Sequence, residues 1–228
     1  GCARRPRANM IGAIYPYGGQ ATLSGTHWDV RGGVMDTSPM RVRRIFASVE
    51  PLARPPQFTG NPPQFTNAFF GAGVTPFVGF RLGTSVTHGG WLKAGESRFV
   101  TANHDATVVT VESEFSFLYT KLSGEWTHDA VGTDAGDRAA SGWFLQGQQT
   151  LTPRWFVAGR VEHMASPAVL AAGIVDQRFN ANQLTLGYRL TPELTLRLEH
   201  RLIQPFAATD VPYDRRFAAS IVWWKRWL

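Results

Sequence analysis

The chain has 228 residues, 43% of them hydrophobic, with 23 Lys or Arg against 17 Asp or Glu and a formal charge of +6. That length supports one substantial domain, 1–228, and no run approaches the ~18 consecutive apolar residues of a membrane helix, which excludes a helical membrane protein. A single cysteine, Cys2, excludes an internal disulfide and a cysteine-based metal site. The basic balance suits nucleic acid, an anionic membrane surface or anionic solutes, and position decides among them. Apart from Arg4–Arg7 and Arg41–Arg44, the cations are scattered along the chain rather than gathered into one tract.

The sequence starts at Gly1 without an initiator Met or a signal peptide, and reads as a processed product or a fragment. Gly1-Cys2 resembles the tail of a lipoprotein cleavage box, but mature lipoproteins begin at the cysteine itself, so an incidental thiol is the expectation. Residues 1–20 form a poorly defined N-terminal segment, whose strand near 8–15 is interrupted by Pro16 and Gly18-Gly19. Strands follow near 21–27 and 29–36. Residues 37–66 are read as the longest loop, folded into the lumen or over its mouth, because Pro51, Pro55, Pro56, Pro62 and Pro63 cannot occupy a regular central strand. Beyond it the pattern predicts strands at 67–75 and 79–88, 106–115 and 118–128, 142–151 and 154–163, 182–190 and 194–204, and a last one at 215–227. Within each pair the turn is short, and three turns carry the same dipeptide, Thr75-Pro76, Thr152-Pro153 and Thr191-Pro192, where a fixed φ and a missing N–H suit a reversal. Between pairs, 89–105, 129–141, 164–181 and 205–214 are longer and rich in Gly, Ala, Asp and Pro.

Side chains of a strand alternate between its two faces. Leu194, Leu196, Leu198 and Leu202 share one face, while Thr195, Arg197, Glu199 and Arg201 share the other. Leu184, Leu186, Tyr188 and Leu190 oppose Gln183, Thr185, Gly187 and Arg189, and Trp155, Val157, Gly159 and Val161 oppose Phe156, Ala158, Arg160 and Glu162. The same split recurs at 79–88, 118–128 and 142–151; it blurs at Val108, Val109 and Val111 and at Phe69-Phe70. A soluble β-sandwich also alternates, its apolar face packing on a second sheet. Two features favour the alternative. The polar face holds long cations beside carboxylates at one level, as in Arg160 with Glu162 and Arg197 with Glu199, which suits a hydrated interior. Trp28, Trp126, Trp143, Trp155, Tyr188, Trp223, Trp224 and Trp227 sit near strand ends, where interfacial girdles lie. The expected fold is all-β: an antiparallel transmembrane β-barrel of about 12 strands, with short periplasmic turns, long extracellular loops and strands of about 9 to 11 residues.

The run Gly142-Trp143-Phe144-Leu145-Gln146-Gly147, continuing through Leu151-Thr152-Pro153-Arg154-Trp155 to Arg160-Val161-Glu162, resembles hairpins of the phosphate-selective porins and related outer-membrane porins. So does Gln183-Leu184-Thr185-Leu186-Gly187-Tyr188-Arg189-Leu190 with the strand after it. Residues 215–228 are similar to the aromatic terminal strand read by outer-membrane assembly machinery, departing from it by ending in Leu228 after Trp227. The resemblance covers roughly residues 67–228. Family members are generally longer, usually with sixteen strands, so this chain is expected to be a shortened or truncated relative. What the resemblance implies is location in the outer membrane of a Gram-negative bacterium, passive diffusion of small, phosphate-like anionic solutes, and often a homotrimer.

On this reading the lumen is lined by Arg31, Arg81, Lys121, Arg160, Arg189, Arg197, Arg201, Arg216 and Arg226 against Asp29, Glu112, Glu114, Glu125, Glu162 and Glu199. Cations prevail, and rings of Arg or Lys draw anions while neighbouring carboxylates keep any one site from holding them too tightly. Arginine in particular offers oxyanions a planar fork of donors. In the plainer reading Arg160, Arg197 and Arg201 each pair with a glutamate and serve stability, and a barrel this narrow is plugged by its own side chains. The chain would then be a structural subunit or anchor of an envelope complex, with the Pro-rich loop as its contact. Catalysis is not expected: the six histidines, His27, His88, His104, His128, His163 and His200, with Ser166 three residues after His163, come with no Gly-x-Ser-x-Gly elbow. His88, His128 and His163 fall at loop-side strand ends, where interfacial histidines are commoner than metal ligands; no metal and no cofactor is expected. The expected partners are outer-membrane lipid, small anionic solutes and a homotrimer or larger envelope complex, with no nucleic acid, since alternating Arg and Glu cancel the field such binding needs.

Overall fold

The computed structural model describes residues 18–36, 66–95, 100–170, 173–207 and 212–224. The strand expected at 8–15, the long loop up to residue 65, both arginine clusters, Cys2, Arg226 and Trp227 lie outside those residues. Eleven strands form one antiparallel sheet in which every strand pairs with its neighbours in sequence: β1 (Gly18–Ser24), β2 (Trp28–Met35), β3 (Asn67–Phe77), β4 (Phe80–Leu92), β5 (His104–Phe117), β6 (Thr120–Val131), β7 (Arg138–Thr150), β8 (Trp155–Leu170), β9 (Gly173–Arg189), β10 (Leu194–Ala207) and β11 (Asp214–Trp223). Among the described residues there is no helix long and apolar enough to cross a membrane.

The turns joining β1 to β2, β3 to β4, β5 to β6, β7 to β8 and β9 to β10 gather on one rim, each tied to its neighbour. Thr75 N–H donates to the His27 carbonyl at 2.7 Å, Ser116 N–H to Gly79 at 2.6 Å, Thr150 N–H to Tyr119 at 2.9 Å and Arg189 N–H to Arg154 at 2.8 Å. Two of the three Thr-Pro pairs build the same turn. The Thr152 hydroxyl accepts from Arg154 N–H at 3.3 Å and Trp155 N–H at 3.0 Å, and the Thr191 hydroxyl accepts from Glu193 N–H at 3.3 Å and Leu194 N–H at 3.1 Å. Thr75-Pro76 differs: it lies within β3 at a register shift between Val74 and Phe77, and the reversal is made by Val78 and Gly79, the latter with φ +91°. A proline at a bulge leaves no ladder donor missing.

On the opposite rim the strands run further than alternation predicted. β6 reaches Val131 and β7 starts at Arg138, so 129–141 is mostly strand. The segment 164–181, expected as a loop, is instead the top of a long hairpin, with β8 and β9 paired from Trp155↔Tyr188 to Leu170↔Gly173. The ladder needs only backbone donors and acceptors. Pairing therefore continues where the sequence carries no hydrophobic alternation.

Register separates two faces, and their surroundings are the reverse of those in a soluble sheet. On one face Leu82, Leu122, Leu145, Leu186 and Leu196 are exposed, and Leu184 and Leu198 are 61% and 60% exposed. The other holds the buried side chains, among them Phe156, Phe179, Glu162, Thr127 and Thr185. A single layer can shield one face only by curving around it, and this sheet therefore curves around its polar side. No second layer covers the leucines among the described residues, which disposes of the sandwich. Register also resolves the two blurred strands: Val109 and Val111 point outward and Val108 inward, and Phe70 points outward and Phe69 inward.

Candidate functional site

Successive register pairs run one row across the inner face from Arg81 through Glu114, Ser123, Gln146, Arg160 and Gln183 to Arg201 and Arg216. The next inner row, one alternate residue toward the loop rim, runs from Asp29 through Gly73, Gly83, Glu112, Glu125, Phe144 and Glu162 to Ala181, Ile203 and Asp214. A row carrying four arginines thus lies beside a row carrying five carboxylates. Arg31, Lys121, Arg189 and Arg197 share the same face, so every expected lumen residue within the described segments points to one side of the sheet. Residues of mid-strand parity share a face however far apart they lie in sequence, and that is why alternation found the set.

Across β2 to β6 two cations, Arg81 and Lys121, form ion pairs. The Arg81 guanidinium spans β3, donating from both Nη atoms to the Asp29 carboxylate, with Glu112 at 3.8 Å. It reaches that far because Gly73 lies beneath it; a Cβ there would stand 2.5 Å from Arg81 Nη2. Gly83 similarly makes room for Glu112, and Gly71 for Arg31. Lys121 Nζ meets Glu114 Oε1 at 2.8 Å.

Across β7 to β10 the charges are shared and buried. Arg160 Nε lies 3.4 Å and Arg201 Nη2 3.8 Å from the same Glu162 oxygen; the side chains of Arg160 and Glu162 are 12% and 6% exposed. Arg160 also donates to Gln146 Oε1 at 3.2 Å and sits over the Phe144 ring, 3.9 Å from its centroid. Arg160 Nη2, Arg197 Nε and Arg201 Nε are buried with no hydrogen-bond partner. The expected Arg160–Glu162 pair is present, whereas no ion pair joins Arg197 to Glu199 among the described residues. Arg189 donates to the Pro153 carbonyl at 3.2 Å and covers the Phe156 ring, and Arg216 pairs with Asp214 at 2.6 Å on the exposed β11. Sequence reading missed the apolar filling beside this cluster: Phe179, 1% exposed, packs with Met164, Ala181 and Ile203 on the inner face. Its one signal in the sequence is Phe179, an apolar residue at inner parity within 164–181, a segment whose composition predicts a loop.

Outward, aromatics cluster at the turn rim. Trp155 and Tyr188 rings lie 4.6 Å apart, and Phe77, Phe80, Phe115 and Phe117 form a chain of ring contacts. Trp126 stacks on His128 at 5.8 Å, and Trp143 lies 6.1 Å from His163, one step below the loop side. His88 and His163 are engaged with Thr107 at 2.8 Å and Asn180 at 2.7 Å, and no group of three or more metal-ligating side chains gathers among the described residues.

Two loop-side connections are braced together. Asp134 accepts from Thr101 N–H at 2.6 Å and from the Thr101 hydroxyl at 3.0 Å, and contacts His104 Nε2. These donors hold its carboxyl at about 2, below the ordinary 3.8, with the Thr101 amide the largest cause. Trp91 Nε1 donates to the Gly132 carbonyl at 2.8 Å across the same gap.

No protein-family model matches the chain, and no curated protein matches it. Among solved structures it is similar to OmpT, an outer membrane protein of Vibrio cholerae. With the in-vitro folded form the TM-score is 0.59 at 10% identity, covering 90% of this chain and 63% of that one; with the outer-membrane expressed form it is 0.57 at 10% identity, covering 90% and 64%. The chain thus spans less than two thirds of the length of the structures it matches. At such identity the likeness is one of fold, and with leucines outside and charges inside it gives this chain the all-β antiparallel architecture of outer-membrane barrel proteins.

Proposed function

We propose that this chain is an outer-membrane porin of a Gram-negative bacterium, through which small, phosphate-like anionic solutes diffuse passively along an arginine-lined lumen. The observation that carries the reading is the pair of inner rows, arginines at 81, 160, 201 and 216 beside carboxylates at 29, 112, 125, 162 and 214, inside a sheet whose outer face is apolar. Rows of opposite sign one alternate residue apart, roughly 7 Å along the strand, draw an anion to the guanidinium side and prevent it from settling there. The more exposed guanidinium of Arg81 and ammonium of Lys121, 38% and 53% exposed, are the inner donors within reach of a passing oxyanion. On this reading the outer face meets membrane lipid, β1 and β11 belong to a closed barrel of about twelve strands, and the protein needs no cofactor, metal or catalytic group. It binds no nucleic acid and assembles as a homotrimer.

A second reading has its own support. Phe156, Met164 and Phe179 fill the inner face where the arginines are most buried, and a lumen so obstructed would make the protein a structural anchor in an envelope complex. Conductance in a planar bilayer under a potassium chloride gradient separates the two. A porin gives current with a reversal potential of the anion-selective sign, moved toward zero in an Arg81→Gln, Lys121→Gln double variant. Absence of current from correctly folded protein, judged by heat modifiability and a β-type circular dichroism spectrum, would leave the anchor.

A further inference from the structure

Near the loop rim the inner face holds two polar groups of opposite charge that lack a partner among the described residues. Asp129, toward the loop end of β6, is 4% exposed, and its Oδ1 is buried without a hydrogen bond. Arg138, the first residue of β7, has a buried Nε that is likewise unbonded. Register makes the two diagonal neighbours on one face, since Asp129 pairs with Ala140 and Arg138 with Val131. Such diagonals lie about 7 to 8 Å apart, within reach of a long side chain. The other inner-face neighbours offer the carboxylate no cation: Val108, Val131 and Ala140 are apolar, and the Thr127 hydroxyl engages Thr110 at 3.3 Å and Glu125 at 3.4 Å. A buried carboxylate without a partner is costly, and an adjacent arginine is the natural remedy.

Arg138 is turned elsewhere. Its Nη2 donates to the Ala135 carbonyl at 2.9 Å and its Nη1 to the Asp137 carbonyl at 3.4 Å, both in the connection from β6 to β7. That connection is closed on itself. The Thr133 carbonyl accepts from Gly136 N–H at 2.9 Å and the Thr133 hydroxyl donates to the Gly136 carbonyl at 2.6 Å, with Gly136 at φ +98°. A turn so closed moves as a unit, and Arg138 is one of its tethers. The guanidinium thus has two competing sets of acceptors, two neutral carbonyls of the turn and one buried carboxylate of the inner face. A bond to a carboxylate is roughly twice as strong as one to a neutral acceptor, so two of the latter against one of the former balance closely. We propose that Arg138 is a two-position latch: on the Ala135 and Asp137 carbonyls it holds the turn 132–137 in place, and swung inward onto Asp129 it releases it. The latch depends on this geometry alone; that the released turn alters passage through the lumen rests on the porin reading above.

The test uses the full chain folded into vesicles, carrying Cys2→Ser and Ala135→Cys and spin-labelled at residue 135, which is exposed. The expected spectrum has two components, an immobile one for the held turn and a mobile one for the released turn. Asp129→Asn keeps the shape but removes the charge that draws Arg138 inward, and should abolish the mobile component. Arg138→Gln loses the grip on Ala135 and should leave the mobile component dominant. The urea midpoint of Asp129→Asn should hold or rise, because the carboxylate has no partner to lose. A spectrum insensitive to both substitutions would overturn the latch, and so would a lower midpoint in Asp129→Asn, which would mean that the carboxylate is already paired. In planar bilayers Asp129→Asn should also suppress switching between conductance levels. Unsubstituted protein that passes no current would sink the porin reading, while the spectra would still decide the latch.

Discussion

Across β2 to β6 the ion pairs of Arg81 and Lys121 lie within reach of water, their side chains being 38% and 53% exposed, whereas across β8 to β10 two arginines share one buried carboxylate beside Phe179 and Met164. The row of charges is continuous in register, but its surroundings change from hydrated to packed. A charge in the first region is screened and replaceable; in the second, each group is there because its partner is. On the proposed porin reading the hydrated side is the path of the solute, and the packed side is its wall.

The largest effect expected is from Glu162→Gln. With that carboxylate gone, Arg160 and Arg201 face each other without compensation, and breaking a buried pair typically removes about 3 to 5 kcal/mol; the urea midpoint for folding into vesicles should fall accordingly. The parallel change Asp29→Asn, at the water-accessible pair with Arg81, should move the same midpoint much less. Equal shifts would erase the distinction between the two regions. Next comes the outer face. Leu184→Arg places a cation in the apolar band and should destabilise by about 2 to 4 kcal/mol if that face meets lipid, since charge on the lipid side of a barrel costs that much near mid-depth. No loss in vesicles would mean the leucines face something other than hydrocarbon. Smallest is the loop brace. Asp134 has a lowered carboxyl value, so its contribution is complete above the ordinary 3.8 and is lost as pH falls toward about 2. Protection of the Thr101 amide, its exchange rate relative to the intrinsic rate at the same pH, should hold from neutral pH to about 4, fall below it, and be absent at every pH in Asp134→Ala.

Much of the candidate site was legible in advance. Arg160, Glu162, Arg197 and Arg201 were assigned to one face from parity alone, because a period of two leaves no other choice once strands are recognised. The extension of β8 and β9 through 164–181 was not legible. Ser166, Pro167 and the alanines there carry no hydrophobic alternation, and the ladder that pairs them is made by backbone groups every residue shares. Nor does parity say which of these charges meet: Arg160 and Arg201 both lie at Glu162, while no ion pair joins Arg197 to Glu199 among the described residues.

The sequence by itself determined that the chain is β-structured, where its turn rim lies, and which residues share a face, because these depend on local stereochemistry and a two-residue period. Only the tertiary structure decided that the leucine face is the exposed one and the arginine face the enclosed one. Alternation distinguishes two faces without saying which is inside; the curvature of the single sheet settles it, and with it which arginines share a carboxylate two strands away.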